Sequence, residues 1–298
     1  MTRWRCSLTM IQLLLRAILA ASLSVGWATA QAQELSKLPY VPTPQIVVDE
    51  MLKLADVTAK DFVMDLGSGD GRMIITAARN FKASGLGVDI DPKLVQLSNK
   101  QAKAEGVDER AKFIEQDMFK ADIGKATVVT LYVLPDFMET LRPKLLSELK
   151  PGSRIVAHDY YMSEWYPDRQ LSLTVPEKKQ ANGTDKAYLY LWIVPAAVAG
   201  DWRMELDLGG GKQQIIVLTF DQQYQRLTNA WADYALGPMK IEKPSLRGDK
   251  ISFGLTVGAN LFQFMGKVSE GKMGGTAVSA LSGQPMPWRA GKLPAEKK

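Results

Sequence analysis

The chain has 298 residues, 46% of them hydrophobic and 23% charged, enough apolar material for one large or two ordinary globular cores and too much for disorder over most of its length. Its formal net charge is +5 and its sequence pI about 9.1, with a single histidine, His158, and a single cysteine, Cys6. One residue of each type assembles no zinc constellation, and a lone cysteine so near the N-terminus leaves the rest of the chain without disulfides or thiolate catalysis.

Residues 1–32 read as a secretory signal peptide. Arg3, Arg5 and Arg16 precede an apolar run from Ala17 to about Val25, and Ala28-Thr29-Ala30 or Ala30-Gln31-Ala32 offers small residues for cleavage. The run is short for a membrane span. The alternative is an uncleaved anchor, and both versions export the remainder; cleavage leaves a periplasmic chain with no stable membrane span. Without those three arginines the formal charge falls to +2. The high pI therefore belongs largely to the leader, and nucleic acid is not an expected partner.

From Tyr40 the segment Tyr40-Val41-Pro42-Thr43-Pro44 is extended, because each residue before a proline is pushed out of the helical region. Ile46, Val47, Met51, Leu52 and Leu54 then follow at helical spacing. Strands predicted over 62–65, 86–89, 112–116, 128–133 and 154–157 alternate with helices over 73–80, 92–105 and 137–149. That alternation predicts a parallel, doubly wound sheet whose carboxyl strand ends share one edge. Strands over 170–175 and 188–194, around a polar, lysine-rich turn at 177–185, close it as an antiparallel hairpin. Seven strands result, and the helix usual before such a hairpin is shortened or lost.

After a linker at 195–200 the apolar period changes to two, with turn signals at short intervals such as Gly209-Gly210-Gly211 and Gly258-Ala259-Asn260. Six to eight short antiparallel strands in about ninety residues form a small meander, closed or nearly closed. Its interior holds either its own side chains or one ligand. The fold class is accordingly α/β, a doubly wound, mostly parallel seven-strand sheet followed by a small antiparallel all-β domain. The divisions are 1–32, 38–195 and 200–290.

The first strand ends in Asp65 and runs into Gly67, Gly69 and Gly71. Glycines there let a ligand at the sheet edge approach the backbone closely. Asp89, closing the second strand, sits where a carboxylate accepts from both hydroxyls of a ribose. The spacing is G-x-G-x-G, not the G-x-G-x-x-G that rests a pyrophosphate on a helix N-terminus. Asp70 inside the loop repels phosphate and tolerates a cation, so a nucleoside with a positive sulfonium fits better than a dinucleotide.

Asp65-Leu66-Gly67-Ser68-Gly69-Asp70-Gly71-Arg72, with Gly87-Val88-Asp89 and Gln116-Asp117-Met118 downstream, resembles the Rossmann-like, seven-strand (class I) S-adenosylmethionine-dependent methyltransferases. The loop and Tyr40-Val41-Pro42-Thr43-Pro44 are similar to bacterial and mitochondrial proteins related to seven-strand protein lysine N-methyltransferases. The resemblance covers roughly residues 38–195. It implies S-adenosylmethionine as cofactor, with Asp65 holding its ammonium directly or through water and the glycine loop and Asp89 around its ribose. It further implies Asp117 accepting from the adenine amino group between Ile90 and Met118, and the Thr43 segment folded over the methionine end. The plain alternatives are an N-cap role for Thr43 and ordinary strand-end packing for Ile90, Asp117 and Met118.

On the acceptor side, Thr130-Leu131-Tyr132-Val133-Leu134-Pro135-Asp136 lacks the Asn-Pro-Pro-Tyr or Asp-Pro-Pro-Tyr of enzymes that methylate nucleobases and glutamine. Nucleobase and glutamine acceptors lose ground, and the resemblance to lysine N-methyltransferases implies an amino group such as a protein lysine as the acceptor. A small-molecule acceptor, or an exported nucleoside-binding module without catalysis, stands as the alternative. Tyr132 and Pro135 line the acceptor channel or belong to the core, and His158, at the end of the fifth strand, is a base near the acceptor or a structural histidine.

Overall fold

The computed structural model describes residues 40–294 apart from residue 236, with backbone alone at Ala181 and Asn182. The expected signal peptide, residues 1–32, lies outside the described residues. Among those described, no helix is long and apolar enough to cross a membrane.

The first sheet comprises β1 (Phe62–Leu66), β2 (Ser84–Asp89), β3 (Ala111–Glu115), β4 (Val128–Leu131), β5 (Arg154–His158), β6 (Arg169–Thr174) and β7 (Lys186–Ile193). Their spatial order is β3-β2-β1-β4-β5-β7-β6. The first five run parallel, β7 runs antiparallel to β5, and β6 antiparallel to β7. Consecutive residues alternate between two cores, which is what a strand covered on both faces requires. Val63, Val128 and Val156 pack with α1 (Gln45–Leu54), α2 (Arg72–Phe81) and α3 (Pro92–Ala104), whereas Met64, Val129 and Ile155 pack with α4 (Pro135–Glu148).

Two local differences from the sequence expectation have clear causes. β4 stops at Leu131, short of 133, because Pro135 opens α4 and holds Leu134 extended (φ −59°, ψ 155°), so Tyr132 and Val133 turn across the rim of the sheet. The lysine-rich segment at 177–185 contains a short helix, α5 (Lys178–Asn182), ended by Gly183 at φ 72°. The crossing from β5 to β6, residues 159–168, has neither helix nor strand.

The second sheet has nine strands where six to eight were expected: β8 (Gly200–Asp207), β9 (Gln213–Gln223), β10 (Arg226–Tyr234), β11 (Gly237–Lys240), β12 (Glu242–Arg247), β13 (Lys250–Val257), β14 (Asn260–Ser269), β15 (Lys272–Ser279) and β16 (Pro285–Lys292). The order β11-β10-β9-β8-β16-β15-β14-β13-β12 is an up-and-down meander whose first and last strands pair. The break falls between β11 and β12, where Ile241 turns its amide back to the Ala230 carbonyl (3.0 Å) and divides one run into two. β10 and β12 touch across the break, so the barrel is nearly closed. Its interior is filled by its own side chains: Phe253 stacks on Phe264 at 4.7 Å, and Trp288 stands edge-on to both at 5.7 Å.

Candidate functional site

A cleft of about 390 Å³ opens at the carboxyl ends of β1, β2 and β4, where the strand order reverses direction. That volume is within the range of small-molecule sites. Of the residues singled out in the sequence, Thr43, Asp65, Gly67, Gly69, Asp89, Ile90, Asp117, Met118 and Tyr132 line it, whereas Gly71, Pro135 and His158 do not.

The glycine loop is shaped by backbone conformation and by its neighbours. Gly69 has φ 54°, and a Cβ there would collide with the Tyr40 ring lying over it. Gly71 serves packing: at φ 82°, a Cβ would sit 2.7 Å from the Phe113 ring, on the side away from the cleft. The Ser68 hydroxyl oxygen is buried in the loop with no hydrogen-bond partner among the described residues.

Asp65, Asp89 and Asp91 line the cleft with no ion pair to a cation among the described residues; Asp91 caps α3 through the Lys93 N–H (2.8 Å), and the other two face the ligand side of the glycine loop. Asp89 Oδ2 accepts from the Gly69 N–H (2.8 Å) and Oδ1 from the Asp91 N–H (2.9 Å), which fixes the carboxylate and leaves further lone pairs on each oxygen. Asp65 is 7% exposed, and its Oδ1 accepts from the Thr130 hydroxyl at 2.6 Å. Burial pushes the Asp65 carboxyl up to about 7; the Thr130 hydrogen bond works against this, and the charges of Asp89 and Asp70 add to it.

Asp70 behaves differently from the sequence expectation. Arg72 folds back on it, with Nε 2.9 Å from Oδ1 and Nη2 2.6 Å from Oδ2, while Nη1 reaches the Thr43 carbonyl at 2.7 Å. Burial works to raise the Asp70 carboxyl, but the guanidinium outweighs it and holds it below the usual range. The loop acid is thus neutralised locally, and Asp65, Asp89 and Asp91 are the cleft carboxylates left without a cation partner among the described residues. Arg72 also ties the extended entry segment to the loop. Tyr40 closes over this pair, its phenol pushed up to about 12 by burial and by Asp70.

At the adenine end expected from the sequence, Asp117 Oδ1 accepts from the Phe119 N–H (2.9 Å), and Lys120 approaches Oδ2 at 3.5 Å. Thr43 is not an N-cap: Pro44 holds that position in α1, with no side-chain cap bond, and Thr43 Oγ1 lies 3.4 Å from His158 Nδ1.

His158 is fully buried beneath the cleft, its ring 4.1 Å from that of Tyr132. Burial pushes its pKa down to about 4, with Asp159 pulling it up and Lys178 adding to the fall. The enclosed imidazole is not among the residues that line the cleft. Pro135 begins α4, is exposed and is not among the residues lining the cleft. Tyr132, named in the sequence, lines the cleft together with Leu134, Phe137 and Tyr160. Leu134 and Phe137 carried no motif, and Tyr40 was visible as part of its proline-rich segment without an indication that it would cover Gly69. Among the described residues no group of His, Cys, Asp and Glu is arranged to hold a metal ion.

Residues 65–169 match the family model of the ANTKMT methyltransferase domain. A protein-lysine N-methyltransferase of Saccharolobus islandicus (strain REY15A) is 40% identical over 155 residues, which are 52% of this chain and 93% of that one. An adenine nucleotide translocase lysine N-methyltransferase of Mus musculus is 27% identical over 154 residues, 52% of this chain and 63% of that one. Among solved structures, an RNA methyltransferase from Salinibacter ruber in complex with S-adenosyl-L-homocysteine is 46% identical, covering 53% of this chain and 96% of that one, with a TM-score of 0.48. The family match ends at residue 169, before the barrel begins at β8.

Proposed function

Because the chain belongs to the class I S-adenosylmethionine-dependent methyltransferases, in the branch of the protein-lysine N-methyltransferases, we propose that it moves a methyl group from S-adenosylmethionine to the amine of a protein lysine. The observation that carries this reading is the pairing of two unneutralised carboxylates, Asp65 and Asp89, with a glycine cradle and the unpartnered, buried Ser68 hydroxyl. Such a cleft suits a ligand with hydroxyls and a positive charge.

Asp89 would hold the ribose hydroxyls, Asp65 the ammonium, and Ser68 a polar atom near the loop. Asp117 would accept from the adenine amino group, with Ile90 and Met118 on the ring faces, while Thr43 and Tyr40 cover the site. S-adenosylmethionine, when bound, supplies an electrophilic methyl group. The enzyme's contribution is then alignment, which is worth roughly 7 to 11 kcal/mol in well-oriented reactions.

A lysine with a reference pKa near 10.4 is protonated at neutral pH, a deficit of roughly 5 kcal/mol for the reactive amine. Tyr132, Tyr160, Leu134 and Phe137 border the acceptor end with largely apolar surface. Desolvation there lowers the lysine pKa and offsets part of the deficit. No enzyme nucleophile is needed.

The test is incubation of the protein with methyl-labelled cofactor and an envelope extract, followed by hydrolysis of the labelled band. Methyl-lysine is the expected product; label confined to RNA or to small molecules refutes the lysine assignment. The murine relative is named for the adenine nucleotide translocase, which makes that protein a first purified acceptor to try. Loss of binding in Asp89→Ala by calorimetry tests the pocket separately. Export of the chain beyond residue 32 is proposed from Arg3, Arg5, Arg16 and the apolar run after them; a reporter fused after Ala32 that stays in the cytoplasm overturns it.

A further inference from the structure

The crossing from β5 to β6, residues 159–168, lies where a doubly wound sheet ordinarily carries a helix. A helix satisfies its own backbone and keeps its own shape; an irregular crossing depends on tertiary contacts for both. This one is held at three places. At the cleft end, the Asp159 N–H donates to the Tyr188 carbonyl (2.7 Å), Lys178 ion-pairs with the Asp159 carboxylate, and the Tyr160 ring stacks toward Tyr132 at 6.2 Å. Midway, the Ser163 N–H and hydroxyl both donate to Glu139 Oε1 on α4, at 2.7 and 2.8 Å.

The third place is shared between β7, where the Asp168 N–H donates to the Leu191 carbonyl (2.7 Å) and Asp168 Oδ2 accepts from the Ile193 N–H (2.7 Å), and the barrel. Trp165 is buried, and the ring of Tyr224, in the β9–β10 turn, stacks on it at 5.4 Å with an interplanar angle of 6°. Trp192 Nε1 donates to the Trp165 carbonyl at 2.6 Å. The next barrel residue, Gln225, donates through Nε2 to Asp168 Oδ1 and accepts through Oε1 from the Gly248 N–H (2.7 Å). Gly248 itself is seated against Gly152, before β5, so closely that a Cβ on it would lie 2.8 Å from the Gly152 Cα. The barrel is therefore locked on the sheet through contacts well beyond its linker.

We propose that the barrel acts as a brace for the acceptor side of the cleft, with Tyr224 and Gln225 as positioning residues that hold the 159–168 crossing and thereby the Tyr160 ring beside Tyr132. What Tyr160 does for the acceptor rests on the methyl-transfer reading above; the mechanical coupling does not. Without Tyr224, Trp165 loses its stacked partner, and at that end of the crossing only the contacts from β7 and from Gln225 remain.

The test compares Tyr224→Ala and Tyr224→Phe in the full chain, with S-adenosylmethionine bound, by hydrogen exchange and by methylation of a short single-lysine peptide. In Tyr224→Ala the amides of residues 160–163 exchange about tenfold faster, while the glycine loop and cofactor affinity stay at wild-type values. The peptide KM rises with kcat nearly retained, and Tyr224→Phe, which keeps the stacked ring, restores both. Unchanged exchange at 160–163 overturns the proposal, as does loosening spread over the whole sheet in step with cofactor affinity. A wild-type protein that binds cofactor but transfers no methyl group sinks the proposed function, and the exchange comparison then decides the brace alone.

Discussion

Replacing Asp65 by asparagine separates fold stability from ligand binding. In an unfolded chain this carboxyl titrates near 3.8; burial in the native cleft pushes it up to about 7. The native state therefore keeps a proton that the unfolded chain has lost. The stability contributed by the group is fully present below pH 3.8 and is lost as pH rises through 7. Above that pH the ligand-free protein carries a charge in a nearly dry site, a penalty of about 4 kcal/mol at 1.36 kcal/mol per pH unit. Asparagine has the same shape, retains an oxygen to accept from Thr130, and has no charge to bury. Ligand-free Asp65→Asn is expected to be more stable than wild type at pH 8.5 by up to about 4 kcal/mol, with the difference shrinking toward pH 4. Cofactor binding goes the other way: losing a charge-assisted hydrogen bond to the ammonium costs about 1.5 to 3 kcal/mol, roughly tenfold to a hundredfold in affinity. Urea unfolding at the two pH values and calorimetry with S-adenosylmethionine read both effects. A variant destabilised equally at pH 4.5 and 8.5 refutes the buried-carboxyl reasoning. In wild type, affinity is expected to rise as pH is taken from 6 to 8, because the ammonium requires the ionised carboxylate.

Gly69→Ala forces a side chain into left-handed backbone, costing about 1 to 2 kcal/mol, and into the Tyr40 ring; calorimetry should show weaker cofactor binding, with Tyr40→Ala in the same chain relieving the collision but not the backbone strain. His158→Phe keeps an aromatic ring under Tyr132 and removes both ring nitrogens, so the pH–rate profile between 6 and 8 should be unchanged; loss of an inflection in that window would show that His158 titrates in catalysis after all. Trp288→Ala empties the centre of the barrel and is expected to cost about 3 to 5 kcal/mol, read as a lowered unfolding midpoint; a midpoint equal to wild type refutes the filled interior.

The residue pattern alone determined the alternation of strand and helix, the location of the glycine loop after β1, and the carboxylates Asp65, Asp89 and Asp117 at the strand ends. These are local or periodic properties, written in consecutive residues and in the right-handedness of the crossovers. The change of period after residue 200 likewise announced an antiparallel sheet before its strands were paired. What pairs across long sequence distances was not legible. Asp70 reads as a charge for the ligand until Arg72 folds back to take it, and His158 stands open in sequence between a base and a structural histidine, whereas packing encloses its ring under Tyr132. Gly71 looks equivalent to Gly67 and Gly69, yet its neighbour is Phe113 from another strand. Nothing in Tyr224 or Gln225 distinguishes them from ordinary turn residues, because their partners, Trp165 and Asp168, lie beside the other sheet. Spacing along a chain records which face a residue takes; only packing in three dimensions decides what it meets there, and hence which charge is neutralised, which ring is buried and which loop is held.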